Sequence, residues 1–266
     1  MPYERKVERA HPTLIQMIMD DSGSMAGVLY GSGDARFKWV ETYGGQILTE
    51  LLYRSTEMSG GNPVVRPRYY LDVVKYGTVV EPWSSEELDI GEAAQKFDIT
   101  HTFGLGGNLE GTDTAQAFQH AYDRLQVMIN KERYRDSFPP MVFHLTDGEA
   151  QTNAELVAQK MAGLATSDGN VLVVNAYIGT QTDLDYKDNV DFPGYVTEAE
   201  VGANEDNLRL FRMSSVVPET IRQNLINDGI FPALRQGARL FFDVRTKEML
   251  RHVMQVVSSG GSRAKK

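Results

Sequence analysis

The chain has 266 residues, 41% of them hydrophobic, which is enough for one large α/β domain or two small ones, and we favour one. It contains no cysteine, so disulfides, zinc–thiolate sites and a catalytic thiol are excluded, and a reducing compartment is the simpler expectation. The net charge of −9 argues against nucleic acid as the main partner, because binding to a phosphate backbone requires a basic surface.

The predicted organisation is a leader, one domain and a tail. Residues 1–12 are charged and lack the apolar stretch of a signal peptide. No later segment approaches the roughly 18 consecutive apolar residues that a membrane span requires. We therefore expect a soluble, cytoplasmic protein without a membrane partner. Its single domain should cover 13–258, followed by a flexible basic tail at 259–266.

The first predicted strand ends in a cluster of oxygen-bearing side chains. Residues 13–20 contain a short apolar run that is typical of a strand buried on both faces of a sheet. Asp20, Ser22 and Ser24 then alternate in the turn that leaves the strand. Three such oxygens suit a hard cation of the magnesium type, although one loop cannot fill an octahedral shell. Taken alone the pattern is weak, because Asp, Ser and Gly are also ordinary turn residues.

Helix and strand signals follow in order. Apolar residues recur at helical spacing over 36–54, and a loop rich in Gly, Pro and Asn is predicted at 57–67. The strands predicted at 68–76 and 78–82 are separated only by Gly77. So short a connection requires an antiparallel hairpin or a sharply bent strand. A short helix is predicted around 91–97.

A glycine-rich loop at 103–108 precedes the second group of oxygen ligands. The loop lacks the Gly-Lys-Ser/Thr ending of a phosphate-binding loop, so we interpret its glycines as freedom for Thr112 to approach or leave a metal. Thr112 lies between Gly111 and Asp113 and starts a predicted helix. The buried stripe of that helix is expected to be Ala115, Phe118, Tyr122, Leu125 and Ile129.

The next predicted strand delivers a second carboxylate. Residues 141–145 are mostly apolar and lead into Thr146, Asp147 and Gly148. His144 lies in this strand, and a lone histidine there is expected to be a hydrogen-bonded core residue. A helix at about 153–165 and a buried strand at 171–178 follow. This alternation predicts a parallel sheet with right-handed crossovers, in which ligands bind at the strand ends that carry Asp20 and Asp147.

The order Asp-x-Ser-x-Ser, Gly-Thr-Asp and Thr-Asp-Gly resembles the metal-ion-dependent adhesion site (MIDAS) of von Willebrand factor type A domains. The resemblance covers most of the chain. It implies a three-layer, doubly wound, Rossmann-like α/β fold whose mostly parallel sheet has one antiparallel edge strand. It also implies that Ser22, Ser24 and Thr112 bind Mg²⁺ directly, or alternatively Mn²⁺ or Ca²⁺, while Asp20 and Asp147 act mainly through bound water. An acidic side chain of a partner protein would take the open position.

The resemblance is interrupted after Gly179. The last strand of the fold matches 238–244 and its closing helix matches 246–257, so the segment at about 180–237 is an insertion. Its first part, 180–207, is strongly acidic, and its second part, 208–228, is predicted to be helical. Because it leaves the C-terminal end of a parallel strand, it should lie on the same rim as the metal. It could be a lid whose carboxylate occupies the metal, a specificity element for a partner, or a solvated loop.

The implied function is a non-enzymatic protein-interaction module. The chain has no Gly-x-Ser-x-Gly elbow and no histidine at motif spacing beside a nucleophile, so no catalytic residues are predicted. The chain looks like the stand-alone bacterial members of the family. These include tellurite-resistance-associated proteins, encoded beside a phosphatase and a kinase, and proteins that work with AAA+ ATPases of the MoxR or chelatase kind. The resemblance thus implies a scaffold in stress signalling, phosphorylation control or complex assembly.

Two other classes of function stay open. A metal-dependent phosphohydrolase would use the same ion to activate water and would need a base, for which Asp21 or Glu149 qualify by proximity in sequence. In a structural subunit the metal would only stiffen the loops. Loss of the ion would then lower stability without changing partner binding.

Overall fold

We describe the protein from a computed structural model, which describes residues 3–28, 33–148, 150–179 and 192–259. The strands, in chain order, are β1 (Thr13–Asp20), β2 (Thr56–Ser59), β3 (Asn62–Val65), β4 (Tyr69–Tyr76), β5 (Val80–Pro82), β6 (Leu88–Asp89), β7 (Met141–Thr146), β8 (Ala165–Thr166), β9 (Gly169–Asn170), β10 (Leu172–Tyr177) and β11 (Phe241–Asp243). The helices are α1 (Arg36–Ser55), α2 (Ile90–Thr100), α3 (Thr114–Ile129), α4 (Glu132–Arg135), α5 (Glu155–Gly163), α6 (Glu198–Val201), α7 (Glu205–Met213), α8 (Glu219–Asn227) and α9 (Lys247–Ser259).

A mostly parallel sheet forms the centre of the molecule. Its strands lie in the order β11-β10-β7-β1-β4-β5, and only β5 is antiparallel along this path. The short β6 also pairs antiparallel with β4. Every residue of β1, β7 and β10 is buried, as expected for strands covered on both faces. The predicted fold class is therefore confirmed.

Strand register determines where the predicted site lies. In the pairing of β1 with β7, Met19 is opposite Leu145, so Asp20 and Thr146 leave the sheet side by side. On the other side of β1, Asp20 is opposite Tyr76. The carboxylates of both strand-end motifs thus emerge at one edge of the sheet, as the sequence predicts.

The helices form two packed groups. Helix α1 packs against α2 and α9, while α3 packs against α5, and α5 against α7.

The side chain of Asp113 caps α3 by accepting a hydrogen bond from Gln116 N at 3.0 Å, so α3 begins at Thr114 and Thr112 stays in the preceding loop. The predicted stripe is partly wrong, because Ala115 and Tyr122 are only half-buried. The buried positions are Thr114, Ala117, Phe118, Ala121, Leu125, Met128 and Ile129.

Two sequence predictions about element boundaries are wrong. The loop predicted at 57–67 is the β2–β3 hairpin, closed by Gly60 and Gly61 at φ of 59° and 83°. This two-glycine turn is typical of a hairpin, but Met58 is 72% exposed, so the strands lack the alternating buried pattern that would identify them. The helix predicted at 208–228 is two helices, α7 and α8, because Pro218 has an extended backbone conformation and lacks the N–H that a continuous helix needs, so the second helix begins after it.

The described part of the insertion extends the core. Phe192 lies 5.7 Å from Phe242 between ring centroids, and Phe231 stacks on the same ring at 5.1 Å. Residues 192–237 are therefore not a solvated loop. Residues 180–191, which carry much of the predicted acidic half, lie outside the described residues, as do 260–266 of the predicted tail. None of the helices that the structure describes has the length and apolarity needed to cross a membrane.

Candidate metal centre

Asp20 is buried and held through both carboxylate oxygens. Its Oδ1 accepts a hydrogen bond from Ser22 N at 2.9 Å, and its Oδ2 accepts one from Thr146 Oγ1 at 2.6 Å. Burial raises the pKa of Asp20 to about 6, and the hydrogen bonds from Ser22 and Thr146 oppose that rise. Thr146 belongs to the predicted Thr-Asp-Gly motif but is not a predicted ligand. Its hydrogen bond fixes the orientation of the Asp20 carboxylate.

Ser22 and Ser24 lie in a tight turn after β1. Their hydroxyl oxygens are 3.1 Å apart. A 3-10 turn at Gly23–Ala26 holds them there, with Met25 N donating to Ser22 O at 3.0 Å and the Met25 side chain fully buried. The apolar anchor at Met25 thus fixes the loop and leaves the two hydroxyls at the strand end.

Asp147 is paired with Arg36, which is not among the site residues predicted from the sequence. Arg36 Nη1 lies 2.6 Å from Asp147 Oδ2 and also donates to Ser24 O at 3.1 Å. The Asp147 side chain is 1% exposed, and its Oδ1 has no hydrogen-bond partner among the described residues. The available sequence signal was the position of Arg36, since a cation at the first residue of a helix is opposed by the helix dipole.

Thr112 reaches the same site from the loop before α3. It is buried, and its carbonyl oxygen accepts a hydrogen bond from Gln151 N at 3.0 Å. Thr112 lines an open cleft of about 660 Å³ together with Ser22 and Ser24. The remaining lining residues are Gly23, Asn108, Leu109, Glu110, Gly111, Ala150, Gln151 and Asp206. The structure thus brings the three predicted hydroxyl ligands to one cleft, next to the strand ends that carry Asp20 and Asp147.

Asp21 fastens the glycine-rich loop to the first motif. Its Oδ1 accepts hydrogen bonds from Gly106 N at 2.6 Å and Gly107 N at 2.7 Å, and its Oδ2 lies 3.4 Å from Lys75 Nζ. The Asp21 side chain is 1% exposed. Its carboxylate is therefore engaged as a structural acceptor. Glu149, the other residue considered as a base, lies outside the described residues.

Glu41 of α1 holds the start of the same loop. Its carboxylate accepts hydrogen bonds from Thr102 Oγ1 at 2.6 Å and from the backbone N–H groups of Phe103 and Leu105, both at 2.7 Å. Gly107 has φ of 62°, and a Cβ there would lie 2.8 Å from Ala26 N. Gly107 thus permits a close approach to the 3-10 turn at Gly23–Ala26, and the hydrogen bonds to Asp21 and Glu41 oppose the mobility predicted for the loop.

The donor set fits a hard divalent cation. Two serine hydroxyls, a threonine and two carboxylates supply only oxygen, and Asp147 Oδ1 is a buried oxygen that lacks a protein donor in the part of the chain that the structure describes. No group of three His, Cys, Asp or Glu side chains suited to a metal occurs among residues 3–28, 33–148, 150–179 and 192–259. A metal at this site would therefore depend on the hydroxyl ligands.

His144 is a core residue, as predicted. Its Nε2 lies 2.7 Å from the Tyr76 hydroxyl, and its Nδ1 lies 2.8 Å from Asn175 Oδ1. Asn175 Nδ2 donates to Ser214 Oγ, so its Oδ1 is free to accept, and the imidazole donates from Nδ1 and accepts at Nε2. The ring is thus a neutral structural link between three strands.

Comparison with known proteins finds likeness in structure only. No protein-family model and no curated protein matches the chain. Proximal thread matrix protein 1 from the mussel byssus, in a structure with a zinc-occupied MIDAS motif, superposes with a TM-score of 0.52 at 13% identity, over 95% of this chain and 46% of that one. An aerotolerance-related membrane protein from Bacteroides fragilis superposes with a TM-score of 0.50 at 11% identity, over 92% of this chain and 99% of that one.

At these identities the likeness concerns the fold. The chain therefore has the mostly parallel, Rossmann-like α/β fold of von Willebrand factor type A domains.

Proposed function

We propose that the protein is a non-enzymatic, metal-dependent protein-interaction module. Ser22, Ser24 and Thr112 would bind a Mg²⁺-type cation directly, and Asp20 and Asp147 would act mainly through bound water. The observation that carries this proposal is the convergence of the three hydroxyl residues on one cleft beside two buried carboxylates, one of which has an oxygen with no hydrogen-bond partner among the described residues. When bound, the ion supplies an electrophilic position for a carboxylate from outside the chain.

The chemistry of the cleft supports a protein carboxylate as the ligand. Neutral hydroxyl ligands compensate little of the charge of a divalent cation, which leaves it attractive to an anionic oxygen. The cleft is open to solvent, so an acidic side chain on another protein can enter it. Mg²⁺ is the proposed ion because every ligand is a hard oxygen, and Mn²⁺ or Ca²⁺ are alternatives with the same preference.

The absence of an enzymatic role is also a proposal. Of the two residues considered as a base for phosphohydrolysis, Asp21 already accepts two backbone hydrogen bonds and faces Lys75. The cellular setting that we propose is the bacterial cytoplasm, with a kinase, a phosphatase or an AAA+ ATPase in a stress response as the partner. This part rests on the family resemblance, and the net charge of −9 supports a partner other than nucleic acid.

The test is partner capture from native lysate with magnesium or with EDTA. The wild type is compared with a Ser22→Ala/Ser24→Ala variant and with a matched Ser84→Ala/Ser85→Ala control, whose serines lie outside the cleft lining. With magnesium, we expect a partner that binds the wild type and the control and does not bind the Ser22→Ala/Ser24→Ala variant. With EDTA, it should bind none of the three. A partner retained under every condition would contradict metal-bridged recognition. Hydrolysis of a generic phosphoester that is lost in Asp147→Ala would favour the phosphohydrolase instead.

A further inference from the structure

Helix α7 of the insertion begins against the turn that carries Asp147. Gly148 in that turn has φ of 88°, and a Cβ placed on it would lie 3.6 Å from Asp206 Cβ and 2.7 Å from Tyr177 Cε2. The first turn of α7 therefore lies beside the Thr-Asp-Gly motif, at a distance that one added methyl group would close to van der Waals contact. The insertion lies on the rim of the candidate metal centre, where the chain order placed it.

Asp206 is the acidic residue of α7 that faces the cleft. It lines the cleft together with Ser22, Ser24 and Thr112. Its side chain is 40% exposed, and it lies 3.5 Å from Arg209 one turn further along the same helix. An ion pair of this length and exposure is weak, so the carboxylate can exchange Arg209 for a stronger cation.

The neighbouring acidic residue provides a contrast. Glu205 is also in the first turn of α7, but its carboxylate lies 3.2 Å from Arg212 and is 59% exposed. It is not among the residues that line the cleft. Two adjacent carboxylates on one helix therefore differ in whether they face the hydroxyl cluster.

The backbone that presents Asp206 is fixed. Leu210, Phe211 and Met213 of α7 are buried, and the side chain of Asn204 caps the helix by accepting a hydrogen bond from Asn207 N at 3.0 Å. A change of partner by rotation of the Asp206 side chain would therefore cost less than one that requires a loop to become ordered.

We infer that Asp206 is an internal ligand for the metal position that a partner carboxylate would take. This inference rests on the proposed function and specifies its regulation. A carboxylate on a fixed helix beside the hydroxyl ligands has a high effective concentration at the ion, so it strengthens metal binding. It also competes with an external carboxylate for the same position. Removing it therefore weakens the affinity of the protein for the metal and strengthens the affinity of the bound metal for an external carboxylate.

The test uses Mn²⁺ alone, followed by acetate as a small external carboxylate. Mn²⁺ binding and the water-proton relaxivity of the bound ion are measured for the wild type, Asp206→Asn and the matched control Glu205→Gln. We expect Asp206→Asn to bind Mn²⁺ about tenfold less tightly, which corresponds to the loss of one charge-assisted contact. Its bound ion should carry about one more exchangeable water, because Mg²⁺-type ions fill open positions with water. Acetate should bind the Mn²⁺-loaded variant more tightly than the loaded wild type.

A second variant tests the exchange with Arg209. Arg209→Gln removes the competing cation and should tighten Mn²⁺ binding, the opposite of Asp206→Asn. Equal Mn²⁺ affinity and relaxivity in the wild type and Asp206→Asn would overturn the inference and leave the proposed function intact. An effect of the same size in Glu205→Gln would overturn it as a general charge effect. A wild type that does not bind Mn²⁺ at millimolar concentration would overturn both.

Discussion

Arg36 and Asp147 form a buried ion pair, with 2.6 Å between Nη1 and Oδ2 and side chains that are 9% and 1% exposed. The pair connects the first residue of α1 to the turn after β7, and Asp20 lies in the next strand. A buried carboxylate without a counter-charge is strongly destabilising. Arg36 thus neutralises part of the negative charge at the site where we propose a divalent cation.

Replacing Arg36 with methionine should make the stability of the protein depend on metal. In EDTA we expect Arg36→Met to lower the free energy of unfolding by about 3–5 kcal/mol, because Asp147 is left as an unpaired buried charge. Magnesium should restore part of this loss by neutralising the same carboxylate. Urea unfolding followed by circular dichroism measures both values. Arg5→Met, which removes an exposed pair with Asp136, should behave like the wild type. Identical losses with EDTA and with magnesium would contradict this role of Arg36.

Asp20→Asn should stabilise the protein in EDTA and abolish its response to magnesium. Because burial raises the pKa of Asp20 from 3.8 to about 6, the folded state favours the protonated acid. The contribution of protonated Asp20 to the free energy of unfolding is therefore fully present below pH 4 and is lost as the pH rises through 6. At pH 7.5 the ionised carboxylate therefore costs about 3 kcal/mol, which asparagine avoids. Chemical denaturation at pH 7.5 with EDTA and with magnesium tests both statements. An Asp20→Asn protein that is less stable than the wild type in EDTA would show that the hydrogen bonds from Ser22 and Thr146 outweigh the cost of burial.

His144 should make the fold sensitive to acid. Burial lowers its pKa from 6.5 to about 4, although the hydrogen bond with Asn175 opposes the shift. The folded state therefore binds fewer protons than the unfolded chain between these values. Stability is full above pH 6.5 and falls by about 3 kcal/mol as the pH decreases to 4.

Histidine proton signals in NMR spectra and unfolding curves between pH 4 and 7 measure this effect. We expect the imidazole of His144 to stay neutral down to about pH 5. His144→Gln should be less stable at pH 7, because the contacts with Tyr76 and Asn175 change, and should show a flatter acid dependence. His101→Asn, at an exposed helix end, should leave the acid dependence unchanged. Titration of His144 near pH 6.5 would contradict the prediction.

The sequence predicts the proposed metal ligands better than it predicts the residues that hold those ligands in place. β1 and its hydroxyl turn were predictable because a continuous apolar run ends abruptly at Asp20, and this pattern depends only on local order in the chain. The Arg36–Asp147 pair joins residues 111 positions apart. The unfavourable position of Arg36 at the start of α1 indicates that it has a partner, but it does not identify Asp147, because that contact depends on how α1 packs in the folded chain.

For the insertion too, one feature is predictable from the sequence and another is not. Its position on the metal rim follows from the rule that loops after parallel strands gather at one edge of the sheet. Its internal structure does not, because Phe192 and Phe231 become core residues through contacts that are distant in sequence, including those with Phe242 of the last strand. The exposed hairpin β2–β3 was missed for the opposite reason. Its residues bury little, so hydrophobic periodicity carries no signal there.

Asp21 should act through its position as a hydrogen-bond acceptor. Asp21→Asn keeps an oxygen for Gly106 N and Gly107 N and loses only the charge that faces Lys75, so we expect Mg²⁺ affinity to change by less than about threefold. Asp21→Ala leaves both N–H groups without that acceptor and frees the loop that leads to Thr112. We expect it to weaken Mg²⁺ binding about tenfold or more and to lower the free energy of unfolding by about 1–3 kcal/mol. Isothermal titration with Mg²⁺ and urea unfolding measure these effects. If Asp21→Asn lost as much metal affinity as Asp21→Ala, the charge of Asp21 and not its position as an acceptor would support the metal, which would contradict this prediction.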